Sequence, residues 1–120
     1  PFLPQERYDE LLWACDLNFV RGEDSFVRAQ WAAKPFVWQI YPQAEGAHLA
    51  KLGAFLAMHP AGAALRPFWH AWNGDDPLDW MAFAADLPSL DAPCQRWATS
   101  LKERPDLADG LVKFCLQRLK

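Results

Sequence analysis

Arg21, Gly22, Glu23, Asp24 and Ser25 place a guanidinium, a pliable backbone position, two carboxylates and a hydroxyl side by side. That mixture suits a phosphorylated ligand. Arginine grips phosphate oxygens through paired N–H donors. Glycine lets the chain bend sharply and lets a ligand approach the backbone. Glu23, Asp24 and Ser25 are residue types that open helices, because their oxygens can cap orphan N–H groups. A helix start of this kind offers open amides and the positive end of a dipole to a pyrophosphate. Glu23 is the odd member, since a carboxylate beside a pyrophosphate is repelled unless it points elsewhere.

These residues need elements to hold them. Leu17-Asn18-Phe19-Val20 reads as a short strand in a covered sheet. After the turn at Gly22, the helix that Glu23 opens runs through Trp31, and Phe36-Val37-Trp38-Gln39-Ile40 follows Pro35 as a second strand. Strand, helix and strand at this spacing predict a parallel βαβ unit with a right-handed crossover. Ligands in such units sit outside the carboxyl ends of the strands. Arg21 to Ser25 and the loop Tyr41-Pro42-Gln43 are therefore expected on one edge of the sheet.

Composition bounds the rest. The chain has 120 residues, enough for one domain with a real core. A hydrophobic fraction of 52% and seven Trp exclude a disordered chain. The net charge of −3 gives no electrostatic reason to expect nucleic acid. Cys15, Cys94 and Cys115 form no C-x-x-C pair, so they are read as reduced, buried thiols of a cytoplasmic protein. His48, His59 and His70 share no metal-ligand spacing. No apolar run is long enough to span a membrane. Because it begins at Pro1 without an initiator Met, the chain is expected to be cut from something longer.

Around the βαβ unit the pattern is helical. Gln5 to Cys15 repeats Tyr8, Leu11, Leu12 and Cys15 at helical intervals, and Ala47 to Met58 shows an inward stripe of Leu49, Leu52, Phe55 and Leu56. Ala63 to Trp72 carries Leu65, Phe68, Trp69 and Trp72. The turn Asn73-Gly74-Asp75-Asp76-Pro77 should stop that helix, with Asp76 capping the next. Pro88 and Pro93 are expected to separate a short helix at Leu78 to Ala85 from another at Asp91 to Arg104. A last helix at Leu107 to Leu119 would turn Leu111, Phe114, Cys115 and Leu119 inward. The expected fold is α/β, a partial Rossmann-like unit followed by a mostly helical back half.

Phe2-Leu3-Pro4-Gln5, the run Leu11 to Ser25, and Pro35-Phe36-Val37-Trp38-Gln39-Ile40-Tyr41-Pro42-Gln43 together closely resemble the protein-arginine rhamnosyltransferases of elongation factor P, the EarP family. The match is dense from Pro1 to about Leu56 and looser beyond. The resemblance implies a two-domain glycosyltransferase of the GT-B kind. Residues 1–120 would be the C-terminal part of its nucleotide-sugar (donor) domain, without the N-terminal acceptor domain. It further implies dTDP-β-L-rhamnose as donor, an arginine of elongation factor P as acceptor, inversion at the anomeric carbon, and no metal or other cofactor.

By the same resemblance Arg21, Asp24 and Ser25 contact the donor diphosphate region, Asp24 mainly through its backbone. Phe2 and Gln5 sit near the thymine and its ribose, and Tyr41 belongs to the donor pocket. Glu23 is the catalytic residue, acting with two aspartates of the N-terminal half, one of them the general base. A carboxylate attracts a guanidinium in bidentate fashion, so Glu23 should face the sugar and acceptor while Arg21 and the amides face phosphate. Ala33 and Gln39 depart from the family pattern, which commonly has glycine and histidine there. Without the resemblance, Asp24 and Ser25 read first as helix caps, Arg21 as a surface partner of Glu23, and Phe2 and Tyr41 as packing anchors. The alternatives in function are a non-catalytic helical interaction domain or a related nucleotide-sugar transferase.

Overall fold

In the computed structural model, which describes residues 2–74 and 76–118, a 3-10 turn at Gln5–Arg7 leads into α1 (Tyr8–Ala14). Then follow β1 (Asn18–Arg21), α2 (Glu23–Trp31), β2 (Phe36–Gln39), a second 3-10 turn at Ala44–Gly46, α3 (Ala47–Met58), α4 (Gly62–Trp72), α5 (Trp80–Lys102) and α6 (Leu107–Arg118). The strands are parallel, with Asn18 opposite Phe36 and Arg21 opposite Gln39. The expected βαβ unit is present; its first strand is shifted one residue along, leaving out Leu17 and taking in Arg21, and its second ends at Gln39 rather than Ile40. Pro1, Asp75 of the expected turn and Leu119 of the last helix lie outside the described residues.

Two strands alone make a marginal sheet, and here helices complete it. Phe26 of α2 stacks on Trp38 at 3.9 Å between ring centroids, and Phe55 of α3 meets both Phe26 and Phe36 edge-on or tilted. The opposite face receives Phe19 against Phe68 and Trp72. Helix α4 also closes the outer edge of β2. Trp69 Nε1 donates to the Phe36 carbonyl at 3.0 Å, and Asn73 Nδ2 donates to the Trp38 carbonyl at 2.8 Å. Asn73 Oδ1 then accepts from the Ile40 N–H at 2.9 Å. Side chains thus take the place of a third strand, satisfying groups that would otherwise be costly to bury.

Several expectations fail for identifiable reasons. Helix α5 runs unbroken through Pro88 and Pro93. Its buried residues Phe83, Leu90, Cys94, Trp97 and Ala98 keep helical spacing across both prolines. The packing of that stripe outweighs the roughly 3 kcal/mol that an interior proline costs. Its N-cap is Asp79, whose Oδ1 accepts from the Ala82 N–H at 3.0 Å, and not Asp76. Leu11 and Leu49 are exposed rather than inward. Every residue of α6 is exposed, including Leu111, Phe114 and Cys115, so that helix buries no face. Of the thiols, only Cys94 is buried; Cys15 is half-buried. Burial pushes the Cys94 thiol up to about 12, which makes it a poor nucleophile. Ala33, where glycine was expected of the family, adopts φ +58° at the end of α2, a left-handed conformation that costs an alanine about 1 kcal/mol.

His59 is buried among the rings of Phe36, Phe55 and Trp97. Its Nδ1 accepts from the Ala61 N–H at 3.1 Å, and Nε2 has no partner among the described residues. Burial lowers its pKa from 6.5 to about 4. Between those values the unfolded chain binds the proton and the folded chain does not. Stability is therefore full above pH 6.5 and falls as the pH drops toward 4, by about 3 kcal/mol at most. Denaturant titrations across that window should show the slope, and His59→Asn, which keeps an acceptor for Ala61, should flatten it.

Candidate functional site

Gly22 is the pivot of the site. It has φ +82° and ψ 177°, a conformation essentially closed to other residues, and it caps α2 without any side-chain hydrogen bond. A Cβ there would lie 3.3 Å from the Tyr41 ring, so the ring packs directly on the turn. From below, the buried Trp38 indole donates to the Gly22 carbonyl at 3.0 Å. The turn is pinned on both sides, by a strand residue and by the loop that follows that strand.

Past Gly22 the first amides of α2, those of Glu23, Asp24 and Ser25, have no carbonyl one turn earlier to bond. Among the described residues no side chain accepts from them either; Asp24 and Ser25 are not caps. The Asp24 carboxylate lies back along the helix, bonded to Arg28 Nε at 2.9 Å. Arg28 also reaches both oxygens of Asp9 at 3.1 Å, tying α1 to α2. The hydrogen bonds that Arg28 donates to Asp9 and then to Asp24 raise its pKa above the ordinary value, so that guanidinium is charged and engaged. Ser25 is half-buried on the first turn of the helix.

Arg21 ends β1 exposed, its guanidinium 5.0 Å from the centre of the Tyr41 ring. It makes no ion pair with Glu23 or with any other carboxylate among the described residues, so it presents an uncompensated cation. A face-on tyrosine orients a guanidinium without neutralising it. Glu23 turns the other way, toward α3, where Lys51 Nζ lies 3.2 Å from its Oε1. Arg21, the three amides and Tyr41 thus gather on one open shelf beyond the strand ends. Phe2 and Gln5 are exposed before α1, and no hydrogen bond or ring contact among the described residues joins them to that shelf. Sequence reasoning missed Lys51, which carries no motif, and the Trp38 bond to Gly22, which alternation in a strand signals only as burial.

A hollow of about 220 Å³ lies elsewhere, between α4 and the start of α5, walled mainly by Pro67, Phe68, Ala71 and Phe83. Its charged members are Asp79 and Asp86. With carboxylates and no cation, it cannot receive a diphosphate.

The comparisons decide the family. The model of the EF-P rhamnosyltransferase EarP matches residues 1–116. The chain belongs to the EarP family. The protein-arginine rhamnosyltransferase of Pseudomonas aeruginosa is 52% identical over 95% of the chain, and that of Pseudomonas putida 48% over the same share. Each match occupies 32% of the relative, so the chain spans about a third of the length of these EarP enzymes. A solved structure described as the structural basis for EarP-mediated arginine glycosylation of translation elongation factor EF-P superposes with a TM-score of 0.73 at 44% identity. It covers 98% of this chain and 39% of that one.

Proposed function

We propose that the chain is the C-terminal part of the donor-binding domain of a GT-B glycosyltransferase that moves L-rhamnose from dTDP-β-L-rhamnose to an arginine of elongation factor P. Membership of the EarP family supports the reaction. The observation that carries the site is the guanidinium of Arg21, without an ion-pair partner among the described residues, beside the open amides of Glu23, Asp24 and Ser25. In this reading those donors bind the diphosphate. As the bond from the anomeric carbon to the phosphate oxygen breaks, negative charge grows on the leaving dTDP. The same donors then bind more strongly than in the ground state, which lowers the barrier.

Glu23 takes the other half of the chemistry. The acceptor nitrogen attacks the anomeric carbon from the face opposite the diphosphate, inverting it, and loses a proton. An arginine side chain has a pKa above 12, so positioned carboxylates must orient it and accept that proton. Glu23 is one such carboxylate, and the residue that removes the proton lies outside these 120 residues. Tyr41 lines the donor pocket, and Phe2 and Gln5 are assigned to the thymine and ribose. The scheme uses no metal and no organic cofactor, and sets the protein in the cytoplasm.

The test is transfer itself. In a chain extended upstream to the length of its relatives, dTDP-rhamnose and elongation factor P should yield a factor carrying one deoxyhexose on arginine, read by mass spectrometry. The 120 residues alone should transfer nothing. Transfer from a uridine-linked sugar in preference to the dTDP sugar would overturn the donor assignment.

A further inference from the structure

Helix α3 is twenty residues and more from the Arg21–Ser25 segment in sequence, yet one of its faces holds both sides of the shelf. In the first turn of the helix, His48 Nδ1 accepts from the Gln43 N–H at 3.1 Å, in the loop that carries Tyr41. Three residues further on, Lys51 Nζ meets Glu23 Oε1 at 3.2 Å. Residues at this spacing share a helix face. The same side of α3 therefore touches the tyrosine loop and the carboxylate.

The charges at the rim make this arrangement matter. Asp24 is engaged by Arg28, and Arg21 has no carboxylate partner among the described residues. Glu23 is the remaining anion of the motif, on the first residue of a helix whose amides suit phosphate. Left unpartnered, it would swing toward Arg21 and cancel the cation on which diphosphate binding depends. Lys51 draws it to the other side. A carboxylate has two oxygens; with Oε1 held by the ammonium, Oε2 stays open to a cationic or hydroxyl-bearing group.

We propose that Lys51 is a positioning residue for Glu23, holding its Oε1 so that Oε2 faces the guanidinium acceptor and Arg21 is left to the diphosphate. This rests on the donor and acceptor assignment above. Lys51 touches neither substrate; it acts through Glu23.

The experiment compares Lys51→Ala and Lys51→Arg with the parent in the chain of full relative length, measuring kcat, the KM for each substrate and the melting temperature. Both oriented forms of the pair are half or more exposed, so the loss is bounded by what an exposed ion pair contributes. Lys51→Ala should lower kcat/KM for elongation factor P about fivefold, the rate equivalent of such a pair. The donor KM should rise as well, because the freed Glu23 then competes with the diphosphate for Arg21, while the melting temperature should stay near the parent's. Lys51→Arg, which keeps a cation within reach, should recover most of the loss. A Lys51→Ala enzyme at the parent rate overturns the proposal, as does a loss that Lys51→Arg fails to recover or that follows the melting temperature. A parent without any transfer activity overturns the functional reading itself, a different result from an active parent indifferent to Lys51.

Discussion

Gly22→Ala should abolish measurable binding of dTDP-rhamnose while leaving a folded chain. Alanine is strongly disfavoured at φ +82° and ψ 177°, and its Cβ would press on the Tyr41 ring at 3.3 Å. The backbone strain costs roughly 1–3 kcal/mol. The turn has one way to relieve it: rotate the peptide and push Tyr41 outward. Rotation breaks the Trp38 bond to the Gly22 carbonyl and re-aims the amides of α2. Loss of the ring removes the support beneath Arg21. One methyl group therefore disturbs at once every group that the proposed function assigns to the diphosphate, and the effect on affinity should be at least that of Arg21→Ala. Circular dichroism would confirm the helices, and calorimetric titration would read the binding.

Gly62→Ala should act in the opposite manner, on the fold and not on the site. Gly62 opens α4 against the end of α3, and a Cβ there would collide with the Leu56 carbonyl oxygen. That neighbour is backbone and cannot turn aside. Helix α4 would have to lift away, and Leu65, Phe68 and Trp69 pack from it into the core. The hydrogen bonds that close the edge of β2 would loosen with them. The expected loss is about 3 kcal/mol or more, a fall in melting temperature on the order of 10 °C. Calorimetry of the variant checks it. A melting temperature within a degree or two of the parent would mean that α3 and α4 do not approach as closely as described.

The βαβ unit was legible because its signals agree with one another. A covered strand, a glycine turn, helix-opening residues and a second apolar strand leave little choice, and the parallel pairing followed. The shelf could be read for the same reason: Arg21, Gly22 and Tyr41 fall where strands of that unit end. What escaped was set by contacts distant in sequence. Trp69 and Asn73 look like ordinary helix residues, and nothing local says that they finish a sheet edge 33 or 35 residues away. Pro88 and Pro93 argue for a break, yet the apolar stripe around them decides the matter through packing against other elements. Helix α6 has helical periodicity and no partner among the described residues, since periodicity states which residues share a face and not what covers them. Lys51 was invisible as a member of the site because its only mark is a distance to Glu23.

The most direct test of the shelf is amide mapping by NMR during titration of the 120-residue chain with dTDP-rhamnose. Weak binding suffices for this measurement. The resonances of Gly22, Glu23, Asp24 and Ser25 should move first and furthest, together with Arg21 Nε and the Tyr41 ring, and the shifts should vanish in Arg21→Ala. Shifts confined to Phe68, Ala71 and Phe83, at the hollow between α4 and α5, would contradict the account, as would a titration that moves no amide at the start of α2.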